Sequence, residues 1–337
     1  MKKIIFLFSI LSFPASSIFA QIKWTNVDSF YQPLPSSVHV YFTNSPIDTS
    51  PFRAYYLVAD LKDKKLDFTV DTSLNRRLTP KKFYTKCVDE KVGTNDCPYP
   101  LVVVNCTFFS FETNGNLNVV IQNGKLVGYN VPVIGRGKDT FTYRHPFGSA
   151  IGISKKRKAD IAWLYTDSSV KYPRALAHSM PPKKDSTTTF SISSASNYIF
   201  PPPPPFQGYL YNFYEWKMRT AVGGGPVLLQ NGEIKITNEE ELKFAGKAIN
   251  DKHPRTAMGY TKDGKLIILV IEGRNKNAGG ATLQQEAQIF KDLGCWEALN
   301  LDGGGSSCML VNGKETIKPS DVTGQRPVPA VFIIKNH

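Results

Sequence analysis

The sequence predicts an α+β fold, a twisted mixed β-sheet core with packed helices, in a single large domain. Three observations carry this expectation. Short runs of β-branched and aromatic residues, bounded by polar turns, recur along the chain, which is the pattern of strands. One segment near the C-terminus sets apolar residues at helical spacing between a start signal and a stop signal. Strand-like segments of the same character lie on both sides of the one irregular stretch, residues 155–206. That stretch therefore reads as an excursion from one domain and not as a linker between two. With 337 residues, 41% of them hydrophobic and 20% charged, the chain has material for a sizeable core.

The elements follow in chain order. Residues 33–51 are rich in proline and serine and read as a loop or a sheet edge. Residues 54–59 and 67–70 read as short strands, and residues 101–105 as a stronger one. Asn123-Gly124 stands between two apolar runs, 118–122 and 125–129, and marks a hairpin. Residues 155–206 combine polar Lys/Ser/Thr stretches with five consecutive prolines at 201–205, and polyproline is extended and cannot enter a sheet interior. Residues 225–230 read as a strand entering the turn Asn231-Gly232. Residues 265–271 form an unbroken apolar run of strand length, the mark of a buried strand. Residues 282–293 read as a helix, with Thr282 as its cap and Gln285 completing a capping box. Leu283, Ala287 and Phe290 share one face, and Gly294 ends it. Residues 297–301 and 309–311 are strand-like again, the latter before the turn Asn312-Gly313.

The first residues carry a targeting signal. Lys2 and Lys3 precede an apolar run, and small residues follow up to Ala20, which is the organisation of a secretory signal peptide. Cleavage is expected after Ala20, leaving residues 21–337 in a secreted or periplasmic setting. The run is shorter than the ~20 residues a bilayer span takes, and no later segment qualifies, so no integral membrane span is expected. An oxidising compartment lets disulfides persist. Of the five cysteines, Cys87 and Cys97 flank a polar loop and are the expected pair. Cys106, Cys295 and Cys308 sit in apolar contexts, where a buried structural thiol is the commoner fate. The five histidines show no metal-ligand spacing, so no cofactor is expected; an anionic site tolerates a divalent cation without requiring one. The net charge of +13 favours anionic partners such as phosphate esters, acidic glycans or membrane surfaces. The basic residues are scattered and no nucleic-acid motif accompanies them, so no nucleic-acid partner is expected.

The residues able to carry chemistry cluster at strand ends. Asp302-Gly303-Gly304-Gly305-Ser306-Ser307 follows an expected strand. Three glycines free the backbone, and their N–H groups can converge into an anion-binding nest beside the Asp302 carboxylate. The alternative is a glycine turn in which Asp302 bonds its own loop. A second glycine cluster, Gly223-Gly224-Gly225, precedes a strand and reads equally as a tight loop. Arg255 and Thr256 lie in the run Pro254-Arg255-Thr256-Ala257-Met258-Gly259, just before the buried strand. An arginine there can hold two phosphate oxygens, or it is an ordinary surface arginine. Glu272 and Arg274 end the buried strand, where they either act on a ligand or pair with each other. Asn105 ends the strand at 101–105 and can bond a sugar hydroxyl or a phosphate. Phe108 and Phe109 stack on a sugar or pack in the core.

Taken together, these motifs resemble the phosphodiester glycosidase family. The match rests on residues 105–109, 223–232, 254–259 and 298–307, with Arg326-Pro327-Val328 near the end. It implies cleavage of a sugar-1-phosphodiester at the anomeric carbon. On that reading Arg255, Thr256 and the Gly303, Gly304 and Gly305 backbone hold phosphate, Asp302 supplies the carboxylate with Glu272 second, and Asn105 and Ser306 orient the substrate. The partner is then a sugar-phosphate or phosphodiester-linked glycan. The rival expectation is a non-catalytic secreted protein that binds glycan or cell wall through the same basic pocket.

Overall fold

The computed structural model describes residues 22–73, 76–89, 99–136, 139–186 and 213–337. The expected signal peptide, the Cys87–Cys97 pairing and the five prolines at 201–205 lie outside the described residues.

The largest sheet has eight strands, in the order Thr25–Asn26, Val38–Thr43, Ala54–Asp60, Lys265–Ile271, Arg255–Tyr260, Glu297–Asn300, Val227–Gln230 and Glu233–Ile234. A five-stranded sheet runs Lys314–Glu315, Met309–Val311, Tyr99–Asn105, Ala330–Asn336 and Leu66–Thr72. A seven-stranded sheet is centred on Ala159–Tyr165, Gly148–Ile153 and Thr220–Gly223, and three short strands form a small fourth sheet.

The three large sheets enclose one apolar core, and strand periodicity shows how. Side chains of a strand alternate between its faces. Leu266, Ile268 and Val270 therefore join Val104, Phe332 and Trp163 in the central core. Ile267, Leu269 and Ile271 face outward against Leu283, Ala287 and Phe290 of the helix Leu283–Asp292. Both faces of Lys265–Ile271 are covered, which is why its sequence is an unbroken apolar run. Each such side chain contributes ~1.5–3 kcal/mol by leaving water.

The local signals behave as their chemistry dictates. Asn123-Gly124, Asn231-Gly232 and Asn312-Gly313 all have positive φ at both positions, as two-residue hairpin turns require. At the helix start, the Gln285 N–H donates to the Thr282 hydroxyl at 3.1 Å, and the Thr282 N–H donates to the Gln285 side chain at 3.0 Å. Such a cap stabilises by roughly 1 kcal/mol.

Three expectations are corrected. The sheet is not mixed: every pairing among the described strands is antiparallel. The helix Leu283–Asp292 does join two strands that run the same way, Lys265–Ile271 and Glu297–Asn300. Arg255–Tyr260 lies between them and pairs antiparallel with both. Helices are also sparse, with Pro80–Asp89, Leu283–Asp292 and the short Asn238–Glu241 among the described residues, so the fold is mostly β. Finally, residues 33–51 and 155–186 are more regular than their composition suggests. They hold Val38–Thr43, Ala159–Tyr165, Arg174–Leu176 and Lys183–Asp185, because short alternating apolar positions such as Val38 and Val40 bury against the core despite polar surroundings.

Candidate active site

Strands from two sheets end at one place, and a buried asparagine ties them together. Asn105, the last residue of Tyr99–Asn105, is fully buried. Its Nδ2 donates to the Asp302 carbonyl at 2.6 Å. Its Oδ1 accepts from the Thr256 hydroxyl at 2.8 Å and from the Cys308 N–H at 3.0 Å. The neighbouring backbone completes the junction: the Asp302 N–H donates to the Cys106 carbonyl, and the Leu301 N–H to the Thr256 carbonyl, each at 2.8 Å. Asn105 and Thr256 therefore lie beneath the site and hold its floor, where they were expected to touch substrate. Leaving such a buried amide unpaired costs ~1–3 kcal/mol, so the knot fixes the height of Asp302.

The glycines after Asp302 form a tight turn, Gly304–Ser306, and the N–H groups of Gly303 and Gly304 are already used within the protein. The Gly304 N–H donates to the Pro254 carbonyl at 2.8 Å, and the Gly303 N–H serves the Asp302 carboxylate itself. Two of the three donors expected to form an anion-binding nest thus have local acceptors. What the glycines supply is close approach. Gly304 has φ +61, and the Arg274 guanidinium lies 3.1 Å from where a Cβ would stand. A Cβ on Gly305 would fall 2.1 Å from both Arg326 Nη2 and Asp321 Oδ1. Two guanidinium groups are therefore seated against the turn. Arg326 is held by both Asp321 oxygens at 2.7 Å and reaches the Ser306 hydroxyl at 3.5 Å. Arg274 is exposed and makes no ion pair or hydrogen bond among the described residues.

Asp302 is the electrostatic centre of this cluster. Burial pushes its carboxyl up to about 7, although the Ser306 hydroxyl, the Arg326 charge and the Gly303 N–H all favour the ionised form. A carboxyl poised there exchanges a proton at neutral pH, which ordinary exposed aspartate does not. The Ser307 hydroxyl is buried and has no hydrogen-bond partner among the described residues. Cys106, directly below, is a free thiol that burial pushes up to about 12, so it is not a nucleophile. Cys295 and Cys308 are likewise buried and free.

Two expected residues are elsewhere. Thr256 and Arg255 are neighbours in a strand and face opposite sides of the sheet. Arg255 is 2% exposed. Its Nε donates to the Ala281 carbonyl at 3.0 Å and its Nη2 to the Asp251 carbonyl at 3.3 Å, beside Glu286 of the helix. Its fork is spent on backbone, so it does not form the expected phosphate clamp. Glu272 does not pair with Arg274. Its carboxylate accepts from the Lys318 N–H at 3.0 Å and the Asn275 amide at 3.1 Å, and Arg53 lies 3.5 Å away. It is tied to three segments, at Arg53, Asn275 and Lys318. Arg326 takes the cationic position instead, and nothing in its local Arg-Pro-Val context places it beside Gly305. Arg274 carried a signal, its place at the end of the buried strand.

The site thus joins a strand-end carboxyl, the Arg326 charge beside it and the Arg274 guanidinium against the following glycine turn. The family model for phosphodiester glycosidase matches residues 100–335, and the chain belongs to that family. Two kinds of relative are similar to it. An uncharacterised SPbeta prophage-derived protein, YomE, of Bacillus subtilis (strain 168) is 42% identical over 73 residues, 22% of this chain and 11% of that protein. The human N-acetylglucosamine-1-phosphodiester alpha-N-acetylglucosaminidase is 32% identical over 102 residues, 28% of this chain and 20% of that protein. The chain thus spans a fifth or less of the length of these curated relatives. Among solved structures, the catalytic domain of the zebrafish enzyme of that name, auto-inhibited by its pro-peptide, superposes with a TM-score of 0.57 at 18% identity. That superposition covers 94% of this chain and 88% of that one, and it shows a shared fold.

Proposed function

We propose that this chain hydrolyses a sugar-1-phosphodiester at the anomeric carbon, releasing the sugar and a phosphate monoester. The observation that carries the reading is Asp302, a carboxyl in the neutral range that feels the charge of Arg326, with Arg274 seated against Gly304 of the turn that follows it. The departing phosphate monoester is a weak base, so protonating it matters less than in ordinary glycoside hydrolysis. The reaction needs a carboxylate to take a proton from water, and fixed positive charge for the leaving phosphate. In this proposal ionised Asp302 accepts the water proton as the water oxygen bonds to C1. The electrons of the C1–O bond leave with the phosphate. Arg274, the guanidinium without a partner among the described residues, meets the phosphate oxygens, and Ser306 and Arg326 orient Asp302. Export through residues 1–20 belongs to the same proposal.

The test is incubation of residues 21–337 with the methyl phosphodiester of N-acetylglucosamine-1-phosphate, the sugar type named for the animal relatives, and with a panel of other sugars. Free sugar and methyl phosphate are the expected products. Release of methanol and sugar-1-phosphate would instead make it a phosphodiesterase. Binding of the whole panel without turnover would leave the non-catalytic glycan-binding protein.

A further inference from the structure

We propose that the phosphate-side group of the substrate is an apolar alcohol, seated in a cleft that has Lys243 at its polar end; this rests on the reading above. The cleft holds about 490 Å³, within the ~300–1,000 Å³ of ordinary ligand sites. Its walls are mostly apolar, with Phe108, Leu117, Val131, Val133, Ile134 and Pro146; Asn118, Asn130 and Glu241 also line it, but both amides are spent on backbone partners. Leu117 and Val131 are each 37% exposed, so apolar surface faces water where a soluble protein gains nothing from it.

The cleft and the catalytic turn share their supports. Phe108 lies two residues beyond Cys106, whose carbonyl takes the Asp302 N–H. Lys243 lies against Gly225, whose N–H donates to the Asn300 carbonyl at 2.8 Å, two residues before Asp302. One set of strand ends therefore borders both.

Lys243 indicates what the polar end binds. Among the described residues it has no ion pair or hydrogen bond, only the Phe108 ring 5.3 Å away. The nearest acid in sequence, Glu241, is occupied. Its two oxygens accept from the Ser149 N–H and hydroxyl, the Val227 N–H, the Thr237 hydroxyl and the Trp163 indole. Burial depresses the Lys243 pKa, with Glu241 only partly opposing. A bound anion supplies the missing counter-charge. An ammonium at one end of an apolar trough matches a phosphate esterified to a hydrocarbon, and it does not match a second sugar, whose hydroxyls would lose water against Val, Leu and Ile without partners.

The experiment uses residues 21–337 and the methyl, butyl and octyl phosphodiesters of one accepted sugar-1-phosphate, below micellar concentrations. The ratio kcat/KM should rise with chain length, by up to about threefold per methylene while the chain is being buried. Val133→Asp and, independently, Leu117→Ser should lower the octyl-to-methyl ratio. Calorimetry provides a second readout without turnover: octyl phosphate should bind at least tenfold more tightly than inorganic phosphate, and Lys243→Met should weaken both. Equal kcat/KM across the series, with the methyl diester cleaved, overturns the cleft assignment and leaves the hydrolase reading standing. Chain-dependent binding of octyl phosphate with no diester cleaved supports the cleft and overturns the hydrolase reading. Neither binding nor cleavage overturns both.

Discussion

Arg255 and Thr256 follow one another at the start of one strand, and their side chains serve opposite faces of the eight-stranded sheet. Thr256 bonds Asn105 under the Asp302 turn. Arg255 turns into the layer beneath the helix Leu283–Asp292 and donates to two backbone carbonyls. A motif read along the chain treats the two as one functional unit, but the alternation of a strand divides them. The face with Thr256 carries Asp302, Arg274 and Arg326 around the turn. The face with Arg255 carries Glu286, a buried carboxyl whose two oxygens have no hydrogen-bond partner among the described residues. The first face gathers groups suited to an anionic substrate, and the second fixes the strand that positions them. If this division is right, changes on the first face alter kinetics, and changes on the second alter stability.

The largest effect is expected at Asp302. Asp302→Asn removes the charge and keeps the size and much of the hydrogen bonding. Turnover should fall by roughly 10²-fold or more, with the melting temperature kept, because burial already disfavours the ionised form. In the wild type, kcat/KM should climb as pH passes about 7, where Asp302 ionises. A pH profile flat from 5 to 9, with Asp302→Asn near wild-type rate, would falsify the role of the carboxylate.

Arg255→Lys tests the opposite face. Lysine keeps the charge but cannot serve two carbonyls in a plane. Stability should drop by about 1–3 kcal/mol, with kcat per folded molecule nearly unchanged. Lost kcat at an unchanged melting temperature would return Arg255 to the substrate side and break the comparison. Arg274→Ala should act in the other sense, raising KM by roughly tenfold through one lost charge-assisted contact while the melting temperature stays put. An unaltered KM would leave the phosphate to Arg326 or Lys243.

The parts of this molecule legible in sequence are those governed by local chemistry. The capping box at Thr282 and Gln285, the three Asn-Gly turns and the doubly buried strand Lys265–Ile271 depend on residues within a few positions of one another. Asp302 was legible only as a choice between a ligand-facing carboxylate and one that bonds its own loop, because a carboxylate before three glycines fits both. The antiparallel order was not, because Arg255–Tyr260 inserts between two strands joined by a helix, and that is a choice made by the whole sheet. Nor were the places of Arg326 and Lys243. Arg326 reaches Gly305 through the loop that carries Asp321, and Lys243 stands in an ordinary polar run. Their positions come from contacts across long sequence separations, for which a single chain offers no local signal.

The smallest effect on turnover, and the most specific effect on stability, is expected at Glu286. This carboxyl lies on the first turn of the helix Leu283–Asp292 and is completely buried. Burial pushes it up to about 8, against the opposing charge of Arg255. An unfolded glutamate titrates near 4.5. Between those values the folded chain holds a proton that the unfolded chain has released. The folded state is therefore favoured most below about 4.5, and this contribution is lost as pH rises through about 8. Glu286→Gln mimics the protonated carboxyl and removes the titration. Its melting temperature should match the wild type near pH 5 and exceed it by a growing margin up to pH 9, while kcat at each pH stays within about twofold, well under the effect of losing a positioned acid–base group. A margin that does not change with pH would show that Glu286 remains ionised beside Arg255 as a buried ion pair. A loss of turnover without a change in stability would show that the helix-side layer reaches the chemistry, and the division between the two faces would fail.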